Sequence, residues 1–534
     1  MHLPSDAAAP AAPTGRPDGP HGSAHPQGSS AHPHGSDRPH GSGATGARKL
    51  DGGILGVGDI VFFVVAAAAP LTVMAGVAPF AIAFGGIGAP VAYLATGLVL
   101  ALFAVGFTAM TAHVKNAGAF YAYVTLGLGR PAGLGAALLA VFSYNAIQIG
   151  MFGAFGYFAR TTANDLLGVD LPWPVWALVG VAVVWLLGYR SINLGAKVLG
   201  ALLIAETGIL LVLACAVLAR GGAHGLSLAG LAPGNVFQGG MGGVLGLSFA
   251  AFVGFEATAI YREEARDPQR TVPRATYLAI AFLGLFYTFI TWMIIQAFGD
   301  GEAVRAATAD PSGMFFSAMT DYVGGWATDL QRVLIVTSLL AALLAFHNTI
   351  TRYGYALASE GAAPAALGRV HPRHGSPWIG GIAQSVLAAA AVLVAWAVGA
   401  DPYNQFFLWV NSPGVVGILL LQAVAGLAVF AFFRKNPGPA SAGRLRTVVA
   451  PLASTVLLCG ATVLVCWKLD LFTGAGPEVN RPLIAIVPVV FLTGVFLALR
   501  LRARRPEVYA RLGTTGADAA VRAGCGRRGG RVSP

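Results

Sequence analysis

The chain has 534 residues, of which 56% are hydrophobic and 11% charged, with a mean hydropathy of +0.68. Soluble domains carry roughly 25% charged residues, so this chain lacks the polar surface to face water on all sides; a soluble enzyme, a nucleic-acid binder and a secreted disulfide scaffold are excluded together. The net charge of +11 does not restore a nucleic-acid reading, because the 34 Lys and Arg fall mostly in the tails and in alternate loops, a topology signal rather than a binding patch.

Residues 1 to about 50 are rich in Gly, Pro, Ala, Ser and His and show no hydrophobic period. Such a segment cannot bury enough apolar area to offset its chain entropy, so residues 1–50 read as a disordered cytoplasmic tail. Six of the eleven histidines lie there, but irregular spacing and intervening prolines favour a solvated linker over a metal tract. Residues 51–503 form the membrane domain, and residues 504–534, rich in Arg and Gly, a second disordered and basic tail.

The 53 residues between Asp59 and His113 contain no acid, base or histidine. One crossing takes about 20 apolar residues, so this stretch supplies two. Along the whole chain the spacing predicts an all-α integral membrane protein of about twelve transmembrane helices. They lie near 58–84, 90–111, 132–158, 173–188, 195–219, 240–261, 275–298, 332–352, 378–399, 404–432, 447–467 and 482–500, the fourth being short. With the N-terminus inside, the inner loops hold fifteen Lys and Arg and the outer loops six. Both termini are then cytoplasmic. Cys215, Cys459 and Cys466 fall in apolar runs and read as small apolar fillers.

Irregular backbone is tolerated at membrane depth only where it lines a cavity or is buried in protein, so interrupted crossings are the informative ones. The first crossing carries Ala69-Pro70-Leu71-Thr72, in which Pro70 removes an amide donor and clashes with the preceding turn. The sixth carries Phe252-Val253-Gly254-Phe255-Glu256, a glycine and a carboxylate inside an apolar run. A charge within a span costs at least about 2.5 kcal/mol and marks a candidate site. Crossings one and six occupy corresponding positions of two five-helix halves, and paired interruptions of that kind point to a substrate site.

The remaining candidates are few. Glu206, Glu256 and His347 are the main ionisable groups at membrane depth. Glu256 reads as a gate or cation contact, Glu206 as either a proton site or an interhelical hydrogen bond, and His347 as a structural histidine. Ser143, Tyr144, Asn145 and Gln148 form a polar cluster in the third crossing; Tyr144 and Gln148, four apart, share a face. They either read a polar substrate group or join helices. Trp409 and Asn411, with Phe252 and Phe255, would make an aromatic lid or serve as packing. No zinc-protease, serine-hydrolase, Cys/His or phosphate-loop motif occurs, so no enzyme, metal or cofactor is expected.

Gly254-Phe255-Glu256, followed by Glu263-Glu264-Ala265-Arg266-Asp267-Pro268 and Thr271-Val272-Pro273-Arg274-Ala275, resembles the sixth-helix and following-loop signature of the amino acid–polyamine–organocation (APC) superfamily of permeases. Asn116 to Tyr123, Asn348 to Pro364 and Trp409-Val410-Asn411 match more loosely, and the resemblance runs from about Ile54 to Arg500. It implies a LeuT-like five-plus-five inverted repeat with two further C-terminal helices, and substrate bound where helices one and six unwind. The chain departs from relatives with a glycine-rich break in helix one or a lysine in mid-helix five; it has Ala69-Pro70 and Glu206 there. The implied function is a secondary-active permease importing an amino acid across the cytoplasmic membrane with a proton. Thr337 and Ser338 offer sodium coupling as the alternative, and a polyamine or other organic cation is the alternative substrate.

Overall fold

A segment crossing lipid must satisfy its backbone polar groups internally, and the long apolar runs accordingly coil into helices. The computed structural model describes residues 55–513 except 112, 115–118, 191–195, 264 and 437–442. The histidine-bearing N-terminal tail, Asn116-Ala117-Gly118, Glu264 and the chain after Gly513 lie outside the described residues.

In chain order the helices are α1 (Val57–Ala68), α2 (Pro70–Gly76), α3 (Ala78–Gly85), α4 (Ala89–Thr111), α5 (Ala119–Leu128), α6 (Arg130–Leu167) and α7 (Trp173–Tyr189). There follow α8 (Ala196–Arg220), α9 (Pro233–Val236), α10 (Met241–Ala251), α11 (Pro268–Phe298), α12 (Ala303–Ala309), α13 (Met314–Tyr322) and α14 (Gly325–Ser359). The last are α15 (Trp378–Ala397), α16 (Leu408–Lys435), α17 (Ala450–Trp467), α18 (Leu469–Thr473), α19 (Pro477–Arg504) and α20 (Pro506–Arg511). Among the described residues eleven helical segments are long and apolar enough to cross a membrane; α7, with 17 residues, is the short fourth run of the sequence. The first expected crossing is three helices rather than one, and the sixth stops at Ala251.

Long α6, of 38 residues, spans about 57 Å at 1.5 Å per residue and so reaches beyond a 30 Å hydrocarbon layer. It is the hub: 78% of its most apolar window is buried, against 17% for α19, which turns most of its surface outward. Close crossings rest on missing side chains. A Cβ on Gly494 of α19 would come within 2.6 Å of the Gly135 Cα of α6, so small residues let these backbones meet.

The C-terminal boundary expected at 503 is corrected by the fold. Helix α19 continues to Arg504, α20 follows, and the chain is folded to Gly513. Arg130 at the start of α6 donates to the carbonyls of Leu512 (3.3 Å) and Ala510 (3.1 Å), and its guanidinium lies 5.5 Å from the Tyr509 ring centre. The Gly513 amide donates to the Tyr121 hydroxyl at 2.7 Å, and that hydroxyl donates in turn to the buried Glu360 carboxylate. Burial and the neighbouring carboxylate push the Tyr121 phenol far up, so it stays protonated as the donor. Composition pointed to disorder because it cannot register one tyrosine waiting 392 residues away. Tyr121→Phe removes a donor from a buried carboxylate, a loss of about 1–3 kcal/mol. The expected result is a lower melting temperature in detergent and faster tryptic cleavage at Arg511.

Candidate functional site

The interruption of the first crossing is a true break. Ala69 sits at φ 47°, the one non-glycine residue with positive φ among the described residues. Its amide closes α1 on the Ala66 carbonyl, and Pro70 opens α2 at the first helical position, where its missing N–H costs nothing. A break bares backbone groups that must find partners, and neighbouring helices supply them. The Tyr287 hydroxyl of α11 donates to the Ala68 carbonyl at 3.4 Å. The Glu206 carboxylate of α8 accepts from the Ser338 hydroxyl of α14. Thr72 extends the chain by donating to Ser338 at 3.2 Å. Glu206, 3% exposed, is thereby linked through Ser338 to the second half of the broken helix.

The sixth crossing breaks by a different device. Helix α10 ends at Ala251, Phe252 and Val253 close on carbonyls three residues back, and Gly254 takes φ 113° before a 3₁₀ stretch over Phe255–Glu263. Glu256 caps this bend from within its own segment: Oε2 accepts the Gly254 amide at 3.1 Å, and Oε1 accepts the Tyr144 hydroxyl at 2.5 Å. The two breaks face one another, since a Cβ on Gly254 would stand 3.6 Å from the Ala67 Cβ.

Between them lies a cavity of about 60 Å³. Helix one contributes Ala67, Ala68, Ala69 and Thr72; the helix-six break contributes Ala250, Ala251 and Val253. Ile147 and Met151 come from α6, Phe346 from α14, Leu408 and Asn411 from α16 with Phe407 just before it, and Phe472 from α18. Thr72 and Asn411 carry the polar side chains of this wall.

Of the residues expected at the site, Ala69, Thr72, Val253 and Asn411 line the cavity, and the others stand behind it. Pro70 and Leu71 are buried in α2. Phe252 packs edge-on against Tyr287 and Phe255 edge-on against Phe103. Tyr144 is turned to Glu256; Gln148 donates to the Leu343 carbonyl at 2.8 Å and accepts from Gln384, so it joins three helices. Asn145 donates to the Val141 carbonyl of its own helix, and Trp409 to the Thr473 carbonyl. Thr337 donates to Leu334 of its own helix at 3.0 Å, and Ser338 is engaged with Glu206. His347 is buried against Gly188 and Gly381. Ile147, Met151, Phe346, Phe407, Leu408 and Phe472 were not legible as site residues, being apolar residues among apolar runs.

Comparison with known proteins places this architecture. The family described as amino acid permease matches residues 59–508. An uncharacterized transporter of Mycobacterium tuberculosis is 26% identical over 353 residues, covering 63% of this chain and 73% of the relative. The vacuolar cationic amino acid transporter 4 of Arabidopsis thaliana is 24% identical, over 56% of this chain and 51% of its own. A crystal structure of a mutant manganese transporter from Eremococcus coleocola superposes with a TM-score of 0.54 at 13% identity, covering 85% of this chain and 94% of that one, a likeness of fold alone. The fold is LeuT-like. With a membrane-spanning helical fold broken twice around one cavity, and with the family matched over most of its length, the chain belongs to the amino acid permease family of the APC superfamily, a family of transporters and not of enzymes.

Proposed function

We propose that this transporter imports an amino acid across the cell membrane by alternating access, driven by a proton, with both termini in the cytoplasm. The observation that carries the reading is the cavity enclosed by both broken helices. The C-terminal ends of α1 and α10 border it, and helix C-termini carry the partial negative charge that suits an ammonium group. Backbone thus holds the charged end of the substrate, and rocking of one helix group against the other exposes it to each side in turn.

Proton rather than sodium coupling is favoured by Glu206, a buried carboxylate that accepts from Ser338. Thr72 of the broken helix donates in turn to Ser338, so a change in the protonation of Glu206 acts on the element that moves. The excess of basic residues in alternate loops supports the orientation.

Purified protein in proteoliposomes tests the proposal. Amino acid uptake should rise severalfold when the lumen is made alkaline relative to the bath, with potassium as the sole alkali cation. Strict dependence on sodium overturns the coupling, and failure to exchange any amino acid or amine overturns the permease reading.

A further inference from the structure

The cavity wall contains no carboxylate. The two buried acids beside the breaks are not part of it, each occupied by hydrogen bonds: Glu206 with Ser338, Glu256 with Gly254 and Tyr144. What the cavity offers a cation is weaker and fixed in size. The ends of α1 and α10 each carry roughly half an elementary negative charge, enough together for one ammonium and no more. Asn411 adds an acceptor: the residue is 6% exposed, lines the cavity, and its Oδ1 is buried with no hydrogen-bond partner. A buried acceptor left unmade carries the full desolvation penalty of the group, and a bound N–H donor removes it. Apart from the Thr72 hydroxyl, which donates to Ser338, the rest of the enclosure is apolar, including Ile147, Met151, Val73 and Phe346. A second positive charge there would be buried without a counter-charge, which is prohibitive unless it is neutralised.

We infer that, given the permease reading above, the substrate is a neutral amino acid with an aliphatic side chain, and that Asn411 accepts an N–H of its ammonium group. Cationic amino acids and diamines are excluded by what the cavity lacks. The Arabidopsis relative bears a cationic transporter's name; that preference does not pass to a cavity with no acid in its wall.

The test is counterflow in proteoliposomes with labelled valine, competed by alanine, leucine, lysine and putrescine. Alanine and leucine should compete at least tenfold better than lysine or putrescine. Asn411→Leu should weaken valine exchange about tenfold while the melting temperature of the empty protein stays level or rises, because a packing asparagine would lose stability and an orphaned one would not. Asn411→Asp, which places a carboxylate in the wall, should improve competition by lysine and putrescine at least tenfold. Equal or better exchange of lysine or putrescine by the unaltered protein overturns the inference and leaves the permease reading intact, as does unchanged valine exchange in Asn411→Leu. Absence of exchange with all five compounds overturns the inference, and the permease reading falls with it only when every other amino acid and amine fails to exchange as well.

Discussion

Glu206→Ala is expected to lower amino acid uptake about fivefold to a hundredfold in membranes that contain normal amounts of the protein. The carboxylate accepts from the Ser338 hydroxyl, and Thr72 of the broken helix hangs on Ser338. Alanine leaves the Ser338 donor without this partner where no water replaces the loss. At about 1–3 kcal/mol, and about 1.4 kcal/mol per tenfold in population, that loss reduces the ordered break by roughly one to two decades. Glu206→Gln separates bracing from coupling. An amide oxygen still accepts from Ser338, so the break keeps its shape while the ionisable group is gone. Exchange at equal pH should survive within a few-fold in this variant, and the stimulation by a pH gradient should disappear. A glutamine variant that still concentrates substrate against a gradient would leave Glu206 as a brace and nothing more.

The sequence discloses the breaks and hides the wall of the cavity, for a physical reason. A proline, a glycine or a carboxylate within an apolar run disturbs the backbone where it stands, so Pro70, Gly254 and Glu256 announce their positions without reference to the rest of the chain. Which side of a neighbouring helix faces the cavity is a matter of rotation, and in lipid both sides are apolar. In α6 the polar residues Tyr144 and Gln148 draw attention, yet the cavity is met by Ile147 and Met151, turned from Gln148 to one side by about 100° and about 60°. Polarity in that helix marks where it is joined to its neighbours: Gln148 to α14 and α15, Tyr144 to the helix-six bend. The carboxylates take part in the same joining. Glu256 reads as a gate or cation contact because a charge in a span marks a function, and its oxygens hold the peptide geometry of the bend. Phe472 had no signal, since α18 is a five-residue helix brought to the cavity by packing, chiefly on α10 and α16.

Gly254→Ala should cost uptake tenfold to a hundredfold, and Gly254→Val more. The cause is conformational rather than steric, because an added Cβ would meet Ala67 Cβ at 3.6 Å, an ordinary contact. At φ 113° the residue lies beyond the left-handed well near +50 to +70° that other residues occasionally adopt, and strain of this kind costs about 1–3 kcal/mol. Asparagine, which tolerates the left-handed well, should therefore rescue nothing at 254. The opposite sign is expected across the cavity. Ala69 already occupies that well at φ 47°, at a cost of about 1–2 kcal/mol, so Ala69→Gly relieves strain, offset in part by about 0.5–1 kcal/mol of added unfolded-chain entropy. Melting temperature in detergent and uptake per transporter, measured on both variants, distinguish geometry from volume: a change governed by volume would make the substitution at 254 the milder of the two, since there the new methyl has room, whereas backbone geometry makes it the severe one.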